Sequence, residues 1–486
     1  MENKPNKTTI ISSLFWKLME RGGTQGIQLL VQIILARLLS PEEFGMIALV
    51  LVFVNYAQVF IQSGFNTALI QKKNVDEVDF SSVFHLSFGF AGILYLLIYF
   101  VAPYISNFYE AGDLTLILRV LAINLFAGAF LSLQNAVVAR NLEFKLLFKS
   151  SLGAVLISGV LGILAAYQGL GIWSLVIQQI TNQFSMMLIL FFTVKWRPTL
   201  HFSFKKVQTL FSFGWKLLVS SLLETLYLDL RTLIIGRLYT PAILGFYNRG
   251  EQFPKTIVNN LNGSIQSVML PTLSAHQEDR ARVRTMVRRS IKTGSLIIFP
   301  MMVGMAVVAR PLVILVLGEQ WLPAVPFLQI FCIIYSFMPL HTANLQAVNA
   351  LGRSDLFLKL ELFKKAFELS ILLVTIPLGV YAIAIGQIFS GLLASFINAY
   401  PSKFLLNYSY KEQLIDIFPS LFISLGMGGV IAFISFLNFS LIQTLLMQIV
   451  CGIFVYILLT SLFKIESYAY LLTILKELLS ARKRAQ

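Results

Sequence analysis

The chain has 486 residues, of which 57% are hydrophobic and 13% are charged. Soluble globular domains are about 45–50% apolar, so this composition excludes an ordinary water-soluble protein and predicts a multi-span membrane protein. The net charge of +15 would suggest nucleic acid in a soluble chain, but membrane topology accounts for it here, and we expect no nucleic-acid partner.

Apolar segments follow one another along almost the whole chain. The first seven residues are polar and the apolar stretch after them has no cleavage pattern, so we expect an uncleaved first helix. A bilayer core needs about 20 apolar residues per helix. A window of about 19 residues finds fourteen such spans, at residues 11–39, 44–70, 82–103, 114–138, 150–167, 171–194, 212–238, 243–270, 293–317, 323–348, 362–379, 381–404, 415–437 and 440–463. The sequence thus predicts an all-α polytopic membrane protein of about fourteen transmembrane helices.

Basic residues collect in alternate connections between these spans. Of the 38 Lys and Arg, 28 lie in eight such segments, at residues 1–10, 71–81, 139–149, 195–210, 272–292, 351–365, 401–413 and 464–486. The connections between them on the other side contain none. Because Lys and Arg accumulate in cytoplasmic loops, this alternation predicts that both termini face the cytoplasm.

The segment after the last span has an amphipathic pattern. Five leucines share one helical face, namely Leu471, Leu472, Leu475, Leu478 and Leu479. Two interpretations stay open: an interfacial helix on the inner leaflet, or a frayed basic tail.

The first and seventh predicted spans share a sequence pattern 200 residues apart. Ile34, Arg37, Leu38, Pro41 and Gly45 recur as Ile234, Arg237, Leu238, Pro241 and Gly245. Because an even number of spans separates the copies, both run in the same direction, which predicts parallel repeats related by an axis along the membrane normal. We therefore predict two pseudo-symmetric six-helix lobes, residues 1–200 and 201–404, and a C-terminal helix pair with a basic tail, residues 405–486. Such lobes are typical of alternating-access transporters.

Polar side chains lie inside several predicted spans, where each ionisable group costs roughly 2.5–3.5 kcal/mol. In the first span Gln25, Gln28 and Gln32 follow Arg21 on one helical face. The second span repeats the pattern with Asn55, Gln58, Gln62 and Asn66. Two interpretations stay open: these stripes line a wet cavity, or their amides hydrogen-bond between packed helices.

Cations outnumber carboxylates among these intramembrane residues. Arg21, Arg119, Arg231, Arg249 and Lys255 stand against Glu20, Glu224, Asp229 and Glu251. A positively biased cavity is what a membrane-crossing pyrophosphate requires. The predicted substrate-binding residues are Arg21, Arg249, Lys255, Arg231, Arg119, Gln25 and Gln28. The alternative is an ion pair of Asp229 or Glu224 with Arg231 or Lys255 that serves to orient helices.

Other kinds of chemistry are not indicated. The sequence has no phosphate-binding loop of the Walker type, and its largest inner connection is too short for a nucleotide-binding domain. The four His and two Cys residues lack ligand spacing, so we expect no metal, cofactor or catalytic residue. The longest outer connection, residues 103–113, has no room for an extracytoplasmic catalytic domain. We therefore expect a transporter rather than an enzyme.

Five motifs resemble bacterial polysaccharide flippases. They are residues 35–45 (LARLLSPEEFG), 64–73 (GFNTALIQKK), 247–250 (YNRG), 270–274 (LPTLS) and 317–329 (LGEQWLPAVPFLQ). The resemblance covers about residues 8–465. It is to the polysaccharide-transporter branch of the multidrug/oligosaccharidyl-lipid/polysaccharide exporter superfamily, near O-antigen and colanic-acid translocases of lipopolysaccharide and exopolysaccharide biosynthesis.

This resemblance implies a multi-pass protein of the bacterial inner membrane. Such a protein carries an undecaprenyl-diphosphate-linked oligosaccharide from the cytoplasmic to the periplasmic leaflet, with a polymerase and a chain-length regulator as possible partners beside the membrane lipids. Cationic cavity residues are thought to hold the pyrophosphate, and Arg21 and Arg249 sit at matching positions. Two alternatives stay open: a cation-coupled multidrug exporter of the same superfamily and a membrane polysaccharide polymerase.

Overall fold

A computed structural model describes residues 7–62, 69, 75–437, 439–473 and 477 of the chain, and these residues contain α-helices and short 3-10 segments but no strand. Ten of their helical segments are long and apolar enough to cross a membrane. A helix satisfies its backbone hydrogen bonds within itself, which is the condition for crossing hydrocarbon. The predicted all-α polytopic membrane architecture is confirmed, and the total of fourteen spans stays a prediction.

The chain folds into two compact units, of which the first is Met1–Gly245. Its helices in chain order are α1 (Lys7–Leu38), α2 (Pro41–Gln62), α3 (Glu77–Phe108), α4 (Leu114–Leu121), α5 (Asn124–Asn141), α6 (Phe144–Tyr167), α7 (Ile172–Thr193) and α8 (Phe204–Leu238). The helix α9 (Pro241–Ser274) begins at the end of this unit. An apolar core that includes Phe80, Val83 and Leu133 holds α3 and α5 together.

The second unit is Phe246–Gln486. After α9 it contains α10 (Arg280–Val307), α11 (Ala309–Val316), a 3-10 segment (Glu319–Ala324), α12 (Val325–Ser336), α13 (Met338–Ala350), α14 (Ser354–Thr375), a 3-10 turn (Ile376–Leu378), α15 (Val380–Leu405), α16 (Tyr410–Ile434) and α17 (Leu441–Leu462). Its core includes Val287, Phe299, Leu340 and Ile417. The predicted lobe boundaries at residues 200 and 404 stay a prediction.

Four long helices are not among the ten candidate spans, because they lack a sufficiently apolar stretch. They are α1, α8, α9 and α14, with 32, 35, 34 and 22 residues. At 1.5 Å per residue each is long enough to cross the hydrocarbon core of about 30 Å. Their polar side chains, not their lengths, set them apart from the other helices.

Both copies of the sequence repeat fall at the same structural position. One copy ends α1 at Leu38 and begins α2 at Pro41, and the other ends α8 at Leu238 and begins α9 at Pro241. Proline suits the first turn of a helix because its missing N–H would have no partner there. The repeat therefore marks two equivalent helix–turn–helix corners.

Three predicted spans are broken in the structure, and one of them is the span predicted at 323–348, which divides at Phe337 between α12 and α13. The span predicted at 114–138 consists of α4 and α5, and the span predicted at 293–317 ends at Val307 before α11. The basic connection predicted at 272–292 is helical from Arg280 onward, because Asp279 caps α10 by accepting the amide hydrogen of Arg282 at 3.0 Å.

The predicted amphipathic tail is helical over residues 466–473. Leu471 and Leu472 belong to this segment, whereas Leu475, Leu478 and Leu479 lie outside the described residues. Either predicted arrangement of the tail on the membrane stays a prediction.

Candidate functional site

The first helix presents polar and small residues on one exposed face. Gln25 is exposed, and the space beside Gly22 and Gly26 is open where a Cβ atom would lie. Gln28 is half-buried, and its Oε1 has no hydrogen-bond partner among the described residues. The side chain of Arg21 lies outside the described residues, although its backbone belongs to α1. Gln25 is thus open to a ligand, whereas the amide oxygen of Gln28 is enclosed.

Arg231 lies on α8 as a half-buried cation. Its guanidinium carbon stands 5.8 Å from the centre of the Tyr227 ring, and its Nε is buried without a hydrogen-bond acceptor among the described residues. Buried N–H donors of native proteins normally have partners, so an unsatisfied one suggests a ligand or water that is bound during function. Within the described part of the chain, Arg231 forms no ion pair. The pair of Arg231 with Asp229 or Glu224 that was considered from the sequence is therefore not observed there.

Arg119 lies on α4 and contacts Tyr99 of α3. Its Nε donates a hydrogen bond to the carbonyl oxygen of Tyr99 at 3.0 Å, and its guanidinium carbon lies 4.0 Å from the centre of the Tyr99 ring. Arg119 therefore fastens two helices of the first unit, and less of its donor capacity remains for substrate.

Arg249 is buried on α9, with 7% of the residue exposed. Its Nη1 donates to Oε1 of Gln252, and its guanidinium carbon stands 5.8 Å from the centre of the Trp321 ring. These contacts give Arg249 a packed environment, unlike the open cationic position that the sequence led us to expect.

Two of the motifs that carry the family resemblance pack against each other. Phe246 and Trp321 meet edge to face with ring centres 6.0 Å apart, and Tyr247 contacts Phe327 in the same way at 5.7 Å. A Cβ atom on Gly250 would lie 2.8 Å from the backbone nitrogen of Leu328, so this close approach requires glycine. The motif at 247–250 and the motif at 317–329 therefore form one packed core within the second unit.

Lys255 lies on α9 in a more open position than Arg249. Its side chain is 51% exposed, and its Nζ is 3.2 Å from Oε1 of Glu251. The same carboxylate oxygen accepts a hydrogen bond from the hydroxyl of Tyr335 at 2.8 Å. Lys255 thus pairs with Glu251, whereas the sequence suggested Asp229 or Glu224 as its partner.

The spacing along α9 explains why Arg249 and Lys255 differ. Six residues separate them, and a helix turns by about 600° over six residues, so the two side chains point about 120° apart. One of them can therefore be buried while the other is exposed. Depth in the membrane and charge alone do not reveal this difference between the two side chains.

The amide stripe of α2 holds helices together at its buried position. Gln58 donates through Nε2 to the carbonyl oxygen of Asn124 at 2.9 Å, and Gln62 donates to Oε1 of Gln58 at 3.0 Å. Gly128 of α5 lies against the Gln58 amide and leaves no room for a Cβ atom. For Gln58 the structure favours the interhelical interpretation.

Lys364 and Glu361 form a further ion pair inside the second unit, which was not predicted from the sequence. Lys364 is buried with 8% of the residue exposed and pairs with Glu361 one turn earlier on α14 at 2.5 Å. Their spacing of three residues was a usable signal. Among the described residues, no group of His, Cys, Asp and Glu side chains is arranged to hold a metal ion.

Comparison with known proteins assigns the chain to a family. Residues 34–326 match the family described as polysaccharide biosynthesis protein. The chain belongs to this family. The resemblance to polysaccharide transporters is confirmed at this level, and the protein is a multi-pass membrane protein of the polysaccharide biosynthesis family.

Named relatives share about a quarter of their residues with this chain over the aligned regions. It is 29% identical to the teichuronic acid biosynthesis protein TuaB of Bacillus subtilis over 78% of the chain and 79% of TuaB. It is 24% identical to the lipopolysaccharide biosynthesis protein WzxC of Escherichia coli over 85% of each chain. The succinoglycan biosynthesis transport protein ExoT of Rhizobium meliloti is 24% identical over 66% of the chain and 65% of ExoT.

Two solved structures share the fold at low sequence identity. The lipid II flippase MurJ, in an inward closed conformation, has a TM-score of 0.74 and 15% identity over 94% of this chain and 99% of MurJ. An inward-facing multidrug resistance transporter of the MATE family has a TM-score of 0.62 and 15% identity over 82% of this chain and 98% of its own. Both confirm the predicted fold class.

Proposed function

We propose that this protein translocates undecaprenyl-diphosphate-linked oligosaccharide repeat units across the bacterial cytoplasmic membrane for cell-surface polysaccharide biosynthesis. Membership of the polysaccharide biosynthesis family supports this proposal, as do relatives named for teichuronic acid, lipopolysaccharide and succinoglycan. Moving a charged, sugar-bearing headgroup through hydrocarbon unaided is prohibitive because its polar groups would lose their hydration.

One observation carries the proposal: three of the four long helices that lack the apolarity of the ten spans contain most of the predicted ligands. The helices α1, α8 and α9 have 32, 35 and 34 residues but lack the apolarity of the ten spans. Six of the seven predicted substrate-binding residues lie on them, namely Arg21, Gln25, Gln28, Arg231, Arg249 and Lys255. Ionisable groups in spanning helices face a bundle interior or water rather than lipid. We infer that these helices line the substrate path.

The contacts of each cation suggest its role. Arg231 has a donor without an acceptor among the described residues, and Lys255 is half-exposed, so both are suited to bind diphosphate oxygens. We assign the same role to Arg21 and propose that Gln25 and Gln28 donate hydrogen bonds to the headgroup. Arg119 and Arg249 already contact Tyr99 and Trp321, so we propose that they position helices.

Further parts of the proposal concern orientation and partners. We propose alternating access, with both termini in the cytoplasm as the basic connections predict. The lipid-linked glycan would leave in the periplasmic leaflet, where a polymerase and a chain-length regulator of the same pathway would act on it. A cation-coupled multidrug exporter is the alternative, for which an acidic rather than a basic set of intramembrane residues is expected.

Deletion of the gene in its host tests the function. We expect a lipid-linked repeat unit to accumulate and the surface polysaccharide to disappear, and we expect the intact gene to reverse both changes. Lipid extracts analysed by mass spectrometry identify the glycan at the same time. Normal polysaccharide with no accumulated intermediate, together with greater sensitivity to cationic drugs, would support the exporter and contradict the proposal.

A further inference from the structure

A basic pocket of 880 Å³ lies in the second unit, beside the first three turns of α10 and the end of α15. Five cationic side chains line it, namely Arg280, Arg284, Arg288, Arg289 and Lys292. In the sequence these residues served as a topology signal. Because α10 begins at Arg280, they instead project from one regular helix. Arg280, Arg284, Arg288 and Lys292 follow one another at spacings of four residues along one side, and Arg289 lies about half a turn around the helix from Arg280.

Neighbouring carboxylates neutralise three of the five cations. Arg284 pairs with Glu412 at 3.0 Å, Arg288 pairs with Asp416 at 2.7 Å, and Lys292 pairs with Glu466. The pairs with Glu412 and Asp416 fasten α10 to α16.

The remaining two cations, Arg280 and Arg289, are exposed and have no ion-pair partner in the described part of the chain. The Arg289 guanidinium carbon lies 5.1 Å from the centre of the Tyr470 ring. The acidic side chains of Glu278 and Asp279 flank the start of α10 but do not line the pocket. The pocket therefore retains a positive excess that an anion can balance.

An apolar wall stands beside these cations. Phe404, Leu405 and Leu406 line the pocket, and the Phe404 residue is 65% exposed. A free anion in water would gain nothing from such a wall. A lipid offers both parts, because its phosphate suits the guanidinium groups and the first carbons of its chain suit the apolar side chains.

The pocket lies where lipid headgroups are expected. Arg280–Val307 begins and Val380–Leu405 ends beside it, and both are candidate membrane spans. The ends of spanning helices lie at the boundary between hydrocarbon and headgroups. Basic pockets between helices at this level are known binding places for anionic headgroups.

We propose that this pocket binds the phosphate group of an anionic membrane lipid, with Arg280 and Arg289 as the two cations that supply its excess positive charge. Two lipids carry this chemistry: an anionic phospholipid of the surrounding bilayer and a polyprenyl diphosphate. The proposal does not rest on the translocation proposed above, since a bilayer phospholipid can occupy the pocket whatever the protein carries.

Lipid binding to the purified full-length protein in detergent tests the site. The probes are phosphatidylglycerol and undecaprenyl diphosphate. Zwitterionic phosphatidylcholine gives the baseline for binding through the acyl chains alone. The test variant is Arg280→Gln with Arg289→Gln, and the matched control is Arg282→Gln, which removes an exposed cation of the same helix that does not line the pocket. We expect about fivefold weaker binding for each of the two pocket cations removed.

The two anionic probes assign the source of the phosphate. Weaker binding of phosphatidylglycerol in the double variant, with the control unchanged, supports a bilayer phospholipid site, and weaker binding of undecaprenyl diphosphate supports a substrate-lipid site. Equal affinity of the double variant and the control for both probes would overturn the proposal. Melting curves of the three proteins verify folding, and transport assays of the same variants keep this result separate from the translocation proposal.

Discussion

Gly45 and Gly245 meet in a reciprocal contact between the first turns of α2 and α9. A Cβ atom on Gly45 would collide with the carbonyl oxygen of Pro241, and a Cβ atom on Gly245 would collide with the carbonyl oxygen of Pro41. The residues are equivalent in the two copies of the repeat, 200 positions apart.

Alanine at either glycine should destabilise the protein. We expect Gly45→Ala and Gly245→Ala each to lower the free energy of unfolding by about 1–3 kcal/mol, because backbone atoms must move to admit a methyl group. The measurement is the melting temperature in detergent. Gly89→Ala on α3 is the control, since the space beside Gly89 is open and alanine favours a helix. Equal melting temperatures for all three variants would contradict the contact.

The sequence predicted the helices and the repeat well because both depend on local, repeated signals. Long apolar runs and alternating basic connections locate most helices, and the shared Pro and Gly positions mark the two corners. The breaks before Asn124 and after Val307 were missed because the residues on both sides are apolar. Hydropathy carries no signal there.

The site was predicted less well than the fold. Charge and depth identify polar helices, but they do not show which cations the neighbouring helices engage. Arg119 stacks on Tyr99, and Arg249 packs near Trp321, through contacts between residues distant in sequence. Tertiary packing decides these cases, and no local pattern encodes it.

The buried Gln58 provides a test of the interhelical role of amides. We expect Gln58→Ala to lower the melting temperature, at a cost of about 1–2 kcal/mol, because the Asn124 carbonyl loses its donor within a packed interior. Asn55→Ala, at an exposed position of the same helix, should change it little. If the Gln58 variant melted normally but lost transport, the amide would belong to the substrate path instead.

The pair of Arg288 and Asp416 should contribute more stability than exposed pairs. Nε and Nη2 of Arg288 each donate to Asp416 at 2.7 Å, and the Asp416 side chain is 5% exposed. We expect Asp416→Asn to cost about 2 kcal/mol in thermal unfolding, less than a fully buried pair because Arg288 is half-exposed.

Arg353 and Asp355 form the matched exposed pair, with two hydrogen bonds of 2.9 Å. Asp355→Asn should change the melting temperature little, because water screens this exposed pair. Arg288→Lys should fail to preserve stability because lysine lacks the planar fork. Similar losses in the Asp416 and Asp355 variants would show that burial of the carboxylate is unimportant.

Asp76 should make stability depend on acid pH. A hydrogen bond from Lys206 and another from the backbone amide of Asp79 lower the pKa of this carboxyl below its ordinary value. Its contribution is therefore present above a pH of about 4 and is lost as the pH falls through the lowered pKa. Asp76→Asn removes the charge but keeps an oxygen that can cap α3. The melting temperature of this variant should therefore differ from that of the native protein at neutral pH, and the difference should vanish in acid. A difference that is constant with pH would refute this charge effect.

The most direct measurement of the central claim is translocation of a lipid-linked oligosaccharide in proteoliposomes. Native protein, Arg231→Gln with Lys255→Gln, and the Arg282→Gln control would be reconstituted at equal amounts, and the lipid that becomes accessible to an external glycan-modifying enzyme would be counted over time. We expect the control to match the native protein and the double variant to fall by at least about tenfold, because two diphosphate contacts are lost. Native rates in a correctly inserted double variant would contradict the assignment of these cations to the transported headgroup.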